Sequence, residues 1–294
     1  MSNPLRHPPA QTHQTNHPFV IMGYGYTGRH IMRLTLQQRA SALATSRNPA
    51  VQLTALPATQ RLEFDLARPE TWGSVPANAN LIWCFPATPL SSVQQWAQTQ
   101  RSRVNRLVVL GSTSAYEVTD DSPGYPPPWI DESAPIDNTK PRVEGEEYLR
   151  SELGAIVLRV AGIYGPGRNP LEWIRHGRVG PSRKYVNLIQ GEDLAAICLA
   201  ALERGRPGEV YNISDGTPRT WSEICAIAQQ RWDVTAAVAN NDSSPGKRIS
   251  NAKLRTELGY RLQYPDLYEA LSLIESADKG TAQGGRPGFQ YGPG

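Results

Sequence analysis

The sequence predicts a doubly wound α/β fold, a parallel sheet of Rossmann type covered by helices on both faces. Three observations predict it: short, almost wholly apolar runs recur through the first half of the chain, helical patterns alternate with them, and a glycine-rich turn directly follows the first run. A strand buried on both faces loses the alternation of a half-exposed sheet, so unbroken apolar runs between helices mark parallel strands.

The elements follow in order. Phe19-Val20-Ile21-Met22 is the first strand, the turn spans Gly23 to Gly28, and Ile31, Leu34 and Leu36 carry the first helical pattern. Further strands are expected over 41–45, 62–64, 81–85, 107–110 and 155–160, with helices over 91–100 and 142–152 and a Pro-rich loop over 122–135. After Val160 the texture changes: Gly, Pro and Arg crowd residues 162–180, and helices are read at 192–202, 221–231 and around 252–258. The division expected is a dinucleotide-binding domain over 18–163 and a smaller substrate lobe over 164–276 that partly returns to the first. Residues 1–17 and 277–294 are rich in Pro, Gln and other polar or small residues, and both are expected to be disordered tails.

A chain of 294 residues with 39% apolar content is ample for a packed core. Its 30 basic and 27 acidic residues nearly balance, so no basic face for nucleic acid is expected. Arg101-Ser102-Arg103 and Arg204-Gly205-Arg206 read as helix ends, where cations favour the dipole. No apolar run approaches the length of a membrane span, and no secretory or transit signal is evident, so a cytoplasmic protein is expected. Cys84, Cys198 and Cys225 lie far apart in apolar segments and read as unpaired thiols. No metal site is expected; His7, His13 and His17 lack interleaved Cys or carboxylate residues.

Gly23, Gly25 and Gly28 have the G-x-G-x-x-G spacing, and their position between strand and helix gives the motif its weight. The first glycine makes the tight turn, the second lets a pyrophosphate approach the backbone, and the third permits close helix–strand packing. Tyr26 and Thr27 open the helix, where free N–H groups face the phosphates. A site that prefers NAD places Asp or Glu at the end of the second strand to hold the ribose hydroxyls. Here Ser46 and Arg47 stand there instead, and an Arg guanidinium with a neighbouring hydroxyl suits a 2′-phosphate. NADP(H) is the cofactor expected. Asp65 is placed to accept from the adenine amino group or to cap a helix, and Phe85 to pack where the cofactor crosses the sheet edge.

Several segments together resemble the extended short-chain dehydrogenase/reductases, the epimerase/dehydratase-like enzymes. They are the glycine turn, Asp65-Leu66, Gly111-Ser112-Thr113-Ser114-Ala115-Tyr116, the run from Leu158 to Arg168, Asn187 to Leu194, Val210 to Ser214 and Gly246 to Leu254. The resemblance covers about residues 18 to 273. It implies a catalytic Ser, a Tyr acting as acid or base, and a Lys four residues beyond that Tyr. Ser112 matches the Ser; Asn138 falls where the Tyr belongs and Arg142 where the Lys belongs, and no Tyr-x-x-x-Lys occurs anywhere. Asn exchanges no proton near neutral pH and Arg stays protonated, so neither performs that work.

Arg142 is expected to keep the ribose contact, and Tyr116, Tyr164 or Lys140 to stand as substitute acid or base unless they merely pack. Arg159, Arg168 and Arg175 are candidates for an anionic substrate group, or else surface arginines. The activity expected is an NADP(H)-dependent oxidoreductase or epimerase on a small polar, sugar-like substrate, with a homodimer as the candidate assembly. The alternative is a catalytically degenerate NADP(H)-binding protein that senses redox state.

Overall fold

The computed structural model describes residues 17–38, 40–117, 124–237 and 244–283, with side chains as far as 278. The tails expected over 1–17 and 277–294 lie, at 1–16 and 284–294, outside the described residues.

Seven strands form the central sheet: β1 (Phe19–Met22), β2 (Leu43–Ser46), β3 (Arg61–Glu63), β4 (Ala79–Trp83), β5 (Val104–Ser112), β6 (Ile156–Val160) and β7 (Val210–Ile213). Their order is β7-β6-β5-β4-β1-β2-β3, and every neighbouring pair is parallel. This is the doubly wound arrangement the sequence predicts. β5 begins at Val104, three residues earlier than its apolar run, because Val104 and Arg106 pair with Ala79 and Asn80 of β4 across a register shift at Asn105. Asn105 donates to the Asn80 side chain at 2.8 Å, which satisfies a polar pair at the sheet's end.

The two-residue period of a strand divides the core into two layers. Ile21, Ile82, Val108, Leu110, Ile156 and Leu158 belong to one buried cluster, with α1 (Tyr26–Gln37) contributing Ile31 and Met32. Val20, Met22, Leu81, Trp83, Leu107 and Val109 belong to the other, packed on α2 (Leu90–Gln100) and α3 (Pro141–Leu153). Trp96 of α2 stands edge-on to Trp83 with centroids 4.9 Å apart. Helix α4 (Gly191–Arg204) completes the first layer through Leu194, Ile197 and Cys198.

A third cluster joins Tyr164, Leu171, Ile174 and Leu188 to α5 (Trp221–Trp232) and α6 (Leu267–Gln283). Within the Gly/Pro/Arg-rich stretch a short helix forms at Pro170–Arg175, with Pro in its first turn. The Asn169 side chain caps it, accepting from the Leu171 N–H at 2.9 Å. The sequence reading does not anticipate α6. Leu267, Leu271 and Ile274 lie at helical spacing and are buried in this cluster, and the helix they anchor continues to Gln283, into the stretch expected to be a disordered tail. No helix among the described residues is long and apolar enough to cross a membrane.

Candidate functional site

From β1 the chain moves outward to β2 and β3, then returns to β4 on the other side of β1. In open α/β sheets such a reversal opens a crevice at the carboxyl ends of the strands, where ligands bind. The glycine turn after β1 and Phe85 after β4 meet at this crevice. A cavity of about 1440 Å³ lies there, lined among others by Gly23, Gly25, Arg29, Arg47, Asp65 and Phe85.

Each glycine of the turn is required for a different reason. Gly23 adopts φ +92°, and a Cβ there would meet Phe85 Cδ1 at 3.0 Å. A Cβ on Gly28 would lie 2.3 Å from the Gly23 carbonyl oxygen, so the helix packs on the turn only without a side chain. Gly25 has no neighbour within 4 Å of its Cβ position and a φ of −79° that any residue adopts. Its missing side chain therefore leaves room above the backbone instead of relieving a clash. The N-terminus of α1 takes no side-chain cap, so its first N–H groups remain to face an anion. Thr45 fixes the turn, accepting from the Gly23 N–H at 3.0 Å.

The remaining predicted cofactor residues divide. Arg47 is exposed on the cavity wall and has no hydrogen bond or ion pair among the described residues. Arg29 also lines the cavity without an acidic partner, 5.8 Å over the Tyr24 ring. Ser46 lines the cavity too, but its hydroxyl donates to Gln52 Oε1 and accepts from the Asn48 N–H at 3.0 Å. It shapes the turn that presents Arg47. Asp65 turns Oδ1 to the Ala67 N–H at 3.0 Å, which leaves Oδ2 to the cavity. Phe85 packs on Trp83 with centroids 4.6 Å apart. The Tyr26 ring points away from the turn's open face, packing under Gly165 and Gly191 with Arg168 stacked 4.6 Å above it. Thr27 is buried.

At the β5 end of the sheet edge the predicted residues meet different fates. Ser112 closes β5, partly exposed, and its Oγ accepts from the Ser114 N–H at 3.1 Å. The expected ribose role of Arg142 is not what the geometry offers. Its Nε donates to the buried Glu146 at 2.6 Å and its Nη2 to the Leu110 carbonyl at 2.7 Å. Burial raises the Glu146 carboxyl to about 6 against the opposing pull of Arg142. Tyr116 is 1% exposed, donates to Asn212 Oδ1 at 2.6 Å, and lies under Arg159. Tyr164 is wholly buried in the second lobe, its hydroxyl unpartnered among the described residues, and burial pushes its phenol far above the usual range. Both rings are buried, so neither presents its hydroxyl to solvent. Asn138 is exposed, and Lys140 donates to the Ser114 carbonyl at 2.8 Å.

The three arginines considered for a substrate anion are committed elsewhere. Arg159 pairs with Glu147 at 3.3 Å, Arg175 with Glu275 at 2.9 Å, and Arg168 stacks on Tyr26. The reading missed Arg29, which only the fold brings beside Arg47, and Lys247. Lys247 donates to the carbonyls of Tyr116 at 2.6 Å and Thr113 at 3.2 Å, in the turn directly after Ser112.

The chain matches no protein-family model. Over 183 residues it is 27% identical to the Escherichia coli K12 protein YeeZ, a stretch covering 60% of this chain and 65% of YeeZ, less than two thirds of that relative. Among solved structures, a functionally unknown conserved protein of Silicibacter pomeroyi superposes with a TM-score of 0.70 at 25% identity, covering 89% of this chain and 99% of its own. The dTDP-glucose 4,6-dehydratase of Bacillus anthracis, solved with NAD, gives 0.68 at 14% identity over 90% of this chain and 98% of its own. The Bordetella bronchiseptica enzyme WbmG, also solved with NAD, gives 0.70 at 17% identity over 91% and 96%. The fold is that of the NAD-dependent epimerase/dehydratase-like enzymes.

Proposed function

We propose that the chain is an NADP(H)-dependent oxidoreductase of the epimerase/dehydratase-like kind, acting on a small polar, sugar-like substrate. The observation that carries the reading is the cavity wall at the end of β2, where Arg47 stands without an acidic partner among the described residues and Ser46-Arg47 replace the carboxylate of a ribose site. Fit to a dinucleotide rests on Gly25, whose open Cβ position leaves the backbone approachable beside the uncapped N-terminus of α1. The glycine turn would hold the pyrophosphate, Arg47 with Arg29 the 2′-phosphate, and Asp65 Oδ2 the adenine amino group. When bound, the nicotinamide donates or accepts a hydride. Ser112, at the carboxyl end of β5, is placed to orient a substrate oxygen through its hydroxyl. That neighbours solved with NAD share the fold supports a nicotinamide dinucleotide of some form.

A second reading has an observation of its own. With Asn138 exposed, Arg142 paired to Glu146, and Tyr116 and Tyr164 buried, Lys140 is the one predicted substitute acid or base left partly exposed beside Ser112, and it is bonded to the Ser114 carbonyl. A protein that binds NADP(H) and passes its redox state to a partner satisfies the same structure. Turnover separates the two. A screen of carbonyl and nucleotide-sugar substrates with NADPH is expected to find consumption that Ser112→Ala reduces at least about tenfold. No consumption with any substrate would leave the binding protein as the reading.

A further inference from the structure

We propose that the part of the cavity between α1 and residues 51–56 is a second ligand site, which takes the apolar chain of an amphipathic anion whose charged head meets Arg47 and Arg29. The inference goes beyond the cofactor reading and shares with it only those two arginines.

The opening follows from the way the strands are connected. Right-handed crossovers put α1 and the connection from β2 to β3 on one face of the sheet, and Leu53 and Leu56 share a buried cluster with Ile31 and Met32. That second connection forms only a single helical turn at Pro49–Gln52 and another short turn at Ala58–Gln60. A parallel crossover is usually built on a full helix, so the flank of α1 that such a helix would cover stays open.

The cavity extends into this opening. Its volume of about 1440 Å³ exceeds the roughly 300–1,000 Å³ of most single-ligand pockets. Beyond Gly23, Arg47 and Asp65 its wall turns apolar, with Met32, Leu36, Val51, Ala55 and Leu56. Leu36 is 46% exposed and Val51 67%, two of the five large apolar side chains exposed among the described residues. One exposed leucine needs no explanation, but two on a single concave wall leave apolar surface for a ligand to cover.

The wall is fixed by the chain itself. Leu53 is wholly buried and anchors the segment from beneath. Arg61 ties its end, donating from Nε to the Leu56 carbonyl at 2.8 Å and from Nη2 to the Thr54 carbonyl at 3.1 Å. Gln52 accepts from the Ser46 hydroxyl, which joins the apolar wall to the turn that carries Arg47.

Charge decides the kind of ligand. Arg29, Arg33 and Arg47 line the cavity, and Asp65 is the one acidic residue among its lining. Arg33 pairs with Glu192, whereas Arg29 and Arg47 have no acidic partner among the described residues. An apolar wall beside two unpaired guanidiniums suits a chain that ends in a phosphate or a carboxylate. Its head would compete with a 2′-phosphate for Arg47.

The test is calorimetric titration of the full chain, free of cofactor, with decyl phosphate below its micelle concentration and with ethyl phosphate as the chainless control. Decyl phosphate is expected to bind at one saturable site at least about tenfold more tightly than ethyl phosphate, with the negative heat-capacity change of apolar burial. Saturating 2′,5′-ADP and Arg47→Ala are each expected to weaken it at least about tenfold. Leu36→Gln combined with Val51→Gln, at exposed positions where folding is little affected, is expected to remove the advantage of the chain and to leave 2′,5′-ADP binding unchanged. Phosphatidylglycerol vesicles, which present no free chain, are expected not to bind. The proposal is overturned if decyl phosphate binds no more tightly than ethyl phosphate, if the double variant or Arg47→Ala keeps the native affinity, or if vesicles bind and decyl phosphate does not. NADPH binding without a chain-dependent site sinks this proposal alone, and a chain-dependent site without NADPH binding sinks the cofactor reading alone.

Discussion

At the β1–β2 end of the sheet edge Gly25 faces open space and Arg29 and Arg47 lack acidic partners, whereas at the β5 end nearly every comparable group is engaged. Arg142 is tied to Glu146 and Leu110, Tyr116 to Asn212, and Tyr164 is sealed in a core. Both ends belong to one fold, yet only the first leaves its charged groups facing an open cavity. The contrast separates groups left open at one end from groups bonded within the chain at the other. Arg142 finds the buried carboxylate of Glu146 one helical turn away.

The sharpest way to break the comparison is at the glycines. Gly25→Val is expected to abolish dinucleotide binding, measured by NADPH fluorescence, while stability changes by less than about 1 kcal/mol, because its Cβ meets nothing and its φ suits any residue. Gly28→Ala, with its Cβ 2.3 Å from the Gly23 oxygen, is expected instead to lower stability by about 1–3 kcal/mol. If Gly25→Val binds NADPH normally, the open space above the turn is not a phosphate site.

Next in size is the ion pair at the other end. Arg142→Met leaves a carboxylate that is 2% exposed without its cation, and a loss of about 3 kcal/mol is expected in chemical denaturation. NADPH affinity should change little. The reverse pattern, intact stability with weakened binding, would restore the ribose role. Smallest are the tyrosines: Tyr116→Phe is expected to cost about 1 kcal/mol through the lost bond to Asn212, and Tyr164→Phe nothing or a slight gain, since its hydroxyl has no partner. Neither should alter turnover, and a large fall in kcat for either would return it to the active site.

The sheet was legible because its strands are nearly continuous apolar runs, and the glycine turn because its spacing carries a mechanism. Even Arg47 could be found, since it stands a fixed distance beyond the turn. Helix α6 was obscured by the polar and small residues of its last turns. The catalytic half resisted for another reason. Which tyrosine faces a cleft depends on side-chain direction across β5, β6 and β7, and Tyr116 finds Asn212 on β7, 96 residues away. The meeting of Lys140 and Lys247 at the turn after Ser112 is likewise a product of separate loops, and no spacing in the sequence encodes it.

The central claim is that the open end of the sheet edge is built for a phosphorylated dinucleotide, and Arg47 tests it most directly. Dissociation constants for NADPH and NADH, measured by fluorescence titration on the native chain and on Arg47→Ala, are the quantities to compare. The account predicts that the native chain prefers NADPH by at least about tenfold, and that Arg47→Ala loses this preference by weakening NADPH while leaving NADH unchanged. Equal affinity for the two dinucleotides in the native chain, or a preference that survives Arg47→Ala, would contradict it.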